Sequence, residues 1–328
     1  MLLAGDIGGT KTHLAIYSKE SSPHQPVSEA IFPSAMYPNL ETLAREFLAQ
    51  TGQSVERATF GVAGPVVNGR VEGTNLPWII EEGRVADALQ ISSVKLLNDL
   101  EAIAYAVLIL EKDDLYTLNE GDRAPHGSMA VIAPGTGLGQ GFITWTGNEY
   151  RAYPSEGGHA DFAPNNDLEM GLLRYLLQRY DHVSSERVCS GIGLPNIYSY
   201  LKESGYADEP AWLAEKLAAA ADPTPIIVNA AMDATDPVPL CRATLDLFID
   251  ILGAEAGNLA LKTLASGGVY IGGGIPPRIL PALTDGQLLN AFKRKGRVSY
   301  LMERMPLHII LNSKAGLLGS AHYGLTHW

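Results

Sequence analysis

The residues of this sequence that could do chemistry are three glycine-rich turns, each at the end of an apolar run, and the carboxylates and amides between them. The first turn is Gly5-Asp6-Ile7-Gly8-Gly9-Thr10, the second Gly135-Thr136-Gly137-Leu138-Gly139 and the third Gly272-Gly273-Gly274. Glycine lets another group approach the backbone closely, and the N–H groups of such a turn form a concavity suited to phosphate. In the first turn Thr10 adds a hydroxyl donor and Lys11 a positive charge, while Asp6 could hold a hydrated Mg²⁺ riding on the phosphates. The competing reading is an ordinary Gly-Gly hairpin turn. Two familiar loops are excluded. Gly5-x-x-x-x-Thr10-Lys11-Thr12 nearly matches a Walker A loop, but Thr10 stands at its second glycine and His13 to Tyr17 reads as a strand where that loop needs a helix. A dinucleotide fingerprint fails for the same lack of a following helix.

Polar residues sit between the turns. Asn98-Asp99 ends the apolar strand Val94 to Leu97, Glu156-Gly157-Gly158-His159 falls in a segment with no helical period, and Glu186 follows Ser184-Ser185. Each has a plain structural reading. Asn98-Asp99 can cap a helix beginning near Leu100, a role compatible with function because the helix dipole keeps a carboxylate there ionised. Glu186 early in a helix is favoured by the same dipole. His159 on a glycine-rich loop reads less readily as a packed core histidine, and no second His or Cys lies near enough in sequence to suggest a metal.

The elements that must position these residues alternate. Leu2 to Tyr17 reads as strand, turn, strand; a third strand lies near Ala30 to Phe32, and a helix over Leu40 to Gln50 with Leu43, Phe47 and Leu48 on one face. Ala58 to Val66 reads as a buried strand running into a Gly-Pro turn, and Asn68-Gly69 as a hairpin leading through Val71 to Thr74-Asn75-Leu76-Pro77-Trp78. A short helix is expected at Val85 to Leu89, a strand at Val94 to Leu97 and an apolar helix at Glu101 to Leu110. Met129 to Trp145 repeats the opening theme as a degenerate copy of residues 2–17. Further helices are expected at Asp167 to Tyr180, Ser184 to Leu201 (capped by Ser184 or Ser185), Pro210 to Ala221 and Pro239 to Leu264, the last with Gly253 and Gly257 at close packing contacts. A strand from Val269, a strand over Met305 to Leu311 and a helix over Lys314 to Tyr323 close the chain. Strands alternating with helices define an α/β protein with a mixed sheet.

Bulk properties narrow the partners. At 328 residues the length suggests two domains. Hydrophobic content of 46% with 18% charged residues leaves an ample core. The 24 basic residues against 36 acidic ones give −12, which argues against nucleic acid or an anionic membrane as partner. It leaves an anionic small ligand open, because a nest of N–H groups binds phosphate inside an acidic protein. No basic n-region precedes the first strand, so no signal peptide is expected, and no apolar stretch approaches the ~20 residues of a membrane span. Cys189 and Cys241 are the only cysteines, expected reduced and buried, without zinc-ligand spacing.

The ordered set Gly5-Asp-Ile-Gly-Gly-Thr10, Leu97-Asn98-Asp99, Gly135-Thr-Gly-Leu-Gly139, Glu156-Gly-Gly-His-Ala-Asp-Phe-Ala-Pro164, Ser184-Ser-Glu-Arg-Val188 and Ser190-Gly-Ile-Gly193 resembles the bacterial glucokinase family. The likeness continues through Gly257-Asn258-Leu-Ala260, Gly267 to Ile275 and Gly316-Leu-Leu-Gly319, and so covers nearly the whole chain. It is to the group lacking the zinc-binding cysteine cluster of the related ROK proteins. The resemblance implies the actin-like ATPase (ribonuclease H-like) fold, two α/β domains with a ligand cleft between them: a small one of residues 1–110 plus 312–328 and a large one of residues 111–311. It implies ATP-dependent phosphorylation of D-glucose to D-glucose 6-phosphate, the first step of glycolysis, by a cytoplasmic homodimer using Mg²⁺ and no zinc. By the same resemblance Asp99 is the general base for the sugar 6-hydroxyl, and Asn98, Asp99, Glu156, His159 and Glu186 hold the sugar. Gly5, Asp6, Ile7, Gly8, Gly9, Thr10, Thr136 and Gly137 hold the phosphates, Asp6 reaches Mg²⁺ through water, and Gly272, Gly273 and Gly274 line the adenosine site. The role of Lys11 does not carry over.

Three other readings stay open at this level. A kinase for mannose, fructose or an N-acetylated sugar would share the nucleotide site and Asp99. A sugar-responsive transcription regulator would need a helix-turn-helix ahead of the first turn, where only four residues precede Gly5, and is disfavoured by the acidic balance. An actin-like or chaperone ATPase would have no sugar site.

Overall fold

The structure, a computed structural model, describes residues 1–20, 22–72 and 76–327. Its elements begin with β1 (Leu2–Ile7), β2 (Lys11–Tyr17), β3 (Ser28–Pro33), α1 (Leu40–Thr51), β4 (Arg57–Val62), β5 (Arg70–Glu72), β6 (Ile79–Glu81), α2 (Glu82–Leu89), β7 (Ser93–Asn98), α3 (Asp99–Ala106) and β8 (Leu115–Asn119). There follow β9 (Met129–Pro134), β10 (Leu138–Trp145), β11 (Tyr150–Ser155), α4 (Asp167–Leu176), α5 (Gly193–Glu203), α6 (Ala211–Ala218), α7 (Thr224–Ala231) and α8 (Pro239–Thr263). The last are β12 (Gly268–Ile271), α9 (Leu280–Leu283), α10 (Gln287–Lys293), α11 (Ser299–Arg304), β13 (Leu307–Ile310) and α12 (Ala315–Thr326). Two compact units divide the chain. One comprises Met1–Asp114, Gly141–Pro154 and Asn312–Trp328; the other comprises Leu115–Gln140 and Ser155–Leu311.

In the first unit the strands lie in the order β3-β2-β1-β4-β7. β1 pairs antiparallel with β2 and parallel with β4, which pairs parallel with β7. The unbroken apolar run of β1 follows from burial on both faces. Leu2 and Ala4 pack with Ala15, Tyr17, Leu317 and Ala321 under α12. Leu3 and Ile7 pack with Leu14, Ile16, Phe60, Leu43 and Phe47 on the other side. Each fully buried aliphatic side chain of this kind is worth about 1.5–3 kcal/mol, so a one-residue slip of β1 would exchange both cores at once. The parallel arrangement puts the carboxyl ends of β1, β4 and β7 in register, with Ile7 opposite Val62 and Val62 opposite Asn98.

The second sheet runs β11-β10-β9-β12-β13-β8, with β9, β12 and β13 mutually parallel and β8 antiparallel at the edge. Its first five positions repeat the plan of the first sheet: an antiparallel ribbon, then parallel additions. The short likeness between residues 2–17 and 129–145 is therefore the visible part of a repeat that extends across both sheets. The core of the second unit is built on α8, whose Gly253 and Gly257 meet the backbone of α10 as their positions suggested: a Cβ would come within 2.5 Å of the Leu288 carbonyl at one and 2.7 Å of the Phe292 carbonyl at the other. Among the described residues no helix is long and apolar enough to cross a membrane.

Several local expectations are corrected. The helix expected over Ser184 to Leu201 is two pieces, a 3₁₀ turn at Ser185–Arg187 and α5, and Ser184 makes no side-chain cap bond. The Ser190 hydroxyl causes the break: it donates to the Glu186 carbonyl (2.6 Å) and accepts the Gly193 N–H (3.1 Å), substituting for helical partners. The helix expected to reach Leu110 ends at Ala106. The Asn68-Gly69 turn forms with φ of 52° and 71°, closed by the antiparallel Val67–Arg70 bridge immediately ahead of β5, which in turn pairs antiparallel with β6; its expected passage through Thr74-Asn75 lies outside the described residues.

Candidate active site

In the first unit two groups of predicted site residues share one sheet edge. The Asp6–Thr10 turn leaves β1, and Asn98-Asp99 ends β7 and begins α3. The turn is braced from behind. The Gly8 N–H closes it on the Lys11 carbonyl (3.0 Å), and the buried Ser34 donates its hydroxyl to the Gly8 carbonyl (2.8 Å) and its N–H to the Thr10 carbonyl (3.1 Å). Ser34 was missed in the sequence, where a lone serine after a proline carries no signal. Asp6 lies against the start of α12: a Cβ on Gly316 would come within 2.9 Å of its carboxyl carbon. Burial raises the Asp6 pKa to about 6 in spite of the nearby Lys11 charge.

Asn98 is the N-cap of α3, and its capping box with Glu101 is complete. Its side-chain oxygen accepts the Leu100 N–H (2.9 Å) while its amide donates to the Gly64 carbonyl (2.9 Å), tying β7 to the loop after β4. Asp99 is the first helical residue, and its carboxylate also accepts the Leu100 N–H (2.9 Å). A negatively charged side chain is favoured at a helix N-terminus.

In the second unit the second and third glycine turns converge. β9 and β12 run parallel with Ile132 opposite Ile271, so both turns leave the same edge. The Gly191 N–H donates to the Gly135 carbonyl (2.8 Å) and the Ile192 N–H to the Thr136 carbonyl (3.2 Å). Beside them is a cavity of ≈ 770 Å³ lined by Gly135, Thr136, Ile192, Val228, Gly274, Ile275 and Arg278, among others. Its size falls in the range of small-ligand sites. Of the third turn, Gly274 reaches this cavity, while the Gly272 N–H is bonded to the Ile132 carbonyl (2.8 Å). The α7 wall was missed, although prolines at Pro223 and Pro225 mark that helix start.

Glu186 ties the second turn to the rest. Its carboxylate accepts the Leu138 N–H (2.9 Å) and fills the space beside Gly137, where a Cβ would come within 2.3 Å of Oε2. Glu156 precedes and His159 ends a 3₁₀ turn, Gly157–His159, that is joined to the Glu186 segment because the Ser185 N–H donates to the Ala160 carbonyl (2.8 Å). Both side chains are exposed and 3.7 Å apart. Thr136, Gly137, Glu156, His159 and Glu186 thus belong to one local assembly of the second unit. Among the described residues no three of His, Cys, Asp or Glu are grouped to hold a metal ion. Cys189 and Cys241 are buried, unbridged thiols.

Solved structures share this architecture. A glucokinase from an Antarctic psychrotroph superposes with a TM-score of 0.84 at 31% identity, covering 100% of this chain and 99% of the other. A glucokinase from Balamuthia mandrillaris, solved with glucose, superposes at 0.81 with 19% identity over 99% and 93% of the two chains, a likeness of fold. The fold is that of the sugar kinases with the actin-like ATPase architecture. The glucokinase family model matches residues 3–327. Glucokinases of Trichormus variabilis and a Synechocystis species are 45% and 40% identical, over 98% of both chains for the first and 97% and 96% for the second. The chain belongs to the glucokinase family.

Proposed function

We propose that the protein transfers the γ-phosphoryl group of ATP to the 6-hydroxyl of D-glucose. Oxygen O6 attacks the γ-phosphorus in line, its proton passes to the Asp99 carboxylate, and the bond from the γ-phosphorus to the bridging oxygen breaks to release ADP. The transferred group asks little covalent chemistry of the protein, so positioning and charge stabilisation dominate. Asn98, Glu156, His159 and Glu186 bind ring hydroxyls through directional bonds; an analogue lacking one hydroxyl leaves a polar group unmatched. The backbones of Gly8 to Thr10, Thr136 and Gly137 hold the phosphates, and the cavity beside Gly274 takes the adenosine. The observation that carries the reading is the placement of Asp99, on a helix N-terminus at the same strand edge as the Asp6–Thr10 turn.

The residues fit a hydrated Mg²⁺. Asp6 is a carboxylate whose proton affinity burial has raised, the condition a nearby divalent cation would relieve. When bound, the ion would neutralise charge on the phosphates, with Asp6 holding its water. The family resemblance also supports a cytoplasmic homodimer, which sedimentation velocity tests.

The test of function is sugar-phosphate formation measured with glucose, mannose, fructose and N-acetylglucosamine, each with ATP, ADP or polyphosphate as donor, with ADP release followed in parallel for ATP. Glucose with ATP is expected to dominate. ADP release from ATP as fast without sugar as with glucose would overturn the reading.

A further inference from the structure

A charged and amide-rich chain lies inside the second unit, reaching the turn that displays Glu156 and His159 through Gln140. Glu255 sits near the middle of α8 and is 6% exposed. One carboxylate oxygen accepts from the Gln140 amide (2.8 Å) and the other from the Asn258 amide (3.0 Å). The Asn258 oxygen in turn accepts from the Lys295 ammonium (2.7 Å), which also donates to the Ala254 carbonyl (2.8 Å). A carboxylate at such depth is costly unless paired, and apolar packing would fill the space more cheaply. What this chain does hold is the Gln140 side chain, itself only 2% exposed. The Gln140 oxygen is pressed against Gly157, where a Cβ would come within 2.3 Å of it. Two residues earlier, the Leu138 carbonyl is pressed against Gly158 in the same way, with 2.0 Å to a Cβ. Gly157 and Gly158 are the floor of the turn that displays Glu156 and His159. A side chain end is ordinarily the part that yields, but Glu255 pins this one.

We propose that Gln140, fixed by Glu255, is a positioning residue for sugar recognition, setting the Glu156–His159 turn from beneath. The proposal rests on the reading of Glu156 and His159 as sugar ligands. An error of about 1 Å in a positioned group can cost about 10²-fold. Gln140→Leu keeps the volume and removes the amide. It is expected to raise the KM for glucose at least about tenfold while leaving the KM for ATP within about twofold.

The experiment is a cycle with Glu156→Ala/His159→Ala, read as KM for each substrate, with thermal melts on every variant. If Gln140 acts through the turn, Gln140→Leu has little further effect on glucose once Glu156 and His159 are gone. An equal rise in glucose KM in both backgrounds, or a parallel rise in ATP KM, marks a general structural defect and overturns the proposal. An unchanged glucose KM in Gln140→Leu, with Glu156→Ala/His159→Ala impaired, overturns it while leaving the ligand reading intact. An unchanged glucose KM in Glu156→Ala/His159→Ala overturns both. Should Gln140→Leu not fold, Glu255→Gln, which offers one acceptor where two donors converge, is read by the same criteria.

Discussion

The Leu138 N–H donates to the Glu186 carboxylate at 2.9 Å, and that carboxylate occupies the volume a side chain at position 137 would need. The second glycine turn and a proposed sugar ligand are thereby in direct contact, through a hydrogen bond and through the space beside Gly137. A methyl group at 137 would displace the carboxylate and twist the turn together. Gly137→Ala is expected to raise the KM for glucose and for ATP alike, each by about tenfold or more. Glu186→Ala leaves the turn space open and is expected to raise mainly the KM for glucose. Steady-state kinetics with each substrate varied in turn separates the two patterns; a Gly137→Ala enzyme impaired for one substrate alone would contradict the coupling.

Asp99→Asn preserves size and an oxygen able to accept the Leu100 N–H, so the start of α3 stays formed. What is lost is the capacity to take the 6-hydroxyl proton. The expected result is a fall in kcat of at least about 10²-fold, with glucose affinity measured by calorimetry little changed. Near-normal turnover would remove Asp99 from the role of base.

Asp6 gives a pH prediction of the opposite sign to an ordinary salt-bridged carboxylate. Its folded pKa of about 6 lies above the ordinary aspartate value of 3.8, so the folded state binds the extra proton between those values. Stability contributed by the protonated form is complete below about pH 4 and is lost as pH rises to about 6. Asp6→Asn is expected to flatten this slope and to stabilise the ligand-free protein at pH 7 by up to about 3 kcal/mol, while lowering turnover with Mg-ATP. Denaturation curves at pH 4, 5, 6 and 7 check the first part; a variant less stable than the parent at pH 7 would refute it.

Legibility in the sequence followed the range of the interaction. The β1 run, the repeat at Met129 and the Asn98-Asp99 helix start were readable because each is encoded by adjacent residues. At Asn98 the capping and functional readings are compatible: the same amide that completes the capping box fixes the strand end from which Asp99 projects. Edge strands β8 and β11 were not foreseen, since they are short, polar in places and, in β11, interrupted by Pro154. The break between Ser185–Arg187 and α5 depends on one serine hydroxyl replacing helical bonds. Glu255 and Gln140 meet across 115 positions, and nothing local to either announces the other. The cavity wall on α7 likewise comes from tertiary placement, beyond its proline signals.

Gly319 supplies the most severe packing constraint on the helix that carries Asp99. A Cβ there would lie 1.7 Å from the Ala102 carbonyl oxygen and 2.6 Å from its carbon, atoms of the α3 backbone that cannot rotate away. The cost of Gly319→Ala therefore falls on the spacing of α3 and α12, and overpacking of this kind is worth about 1–3 kcal/mol. The denaturation midpoint is expected to drop with an unchanged slope, and kcat to fall as α3 shifts. Gly83, in the first turn of α2, is the contrast. A Cβ there meets nothing within 4 Å, so Gly83→Ala is expected to stabilise by about 0.4–1 kcal/mol through the unfolded chain alone. If the two alanine variants unfold at the same denaturant concentration, close approach of α12 to α3 is not what the glycine is for.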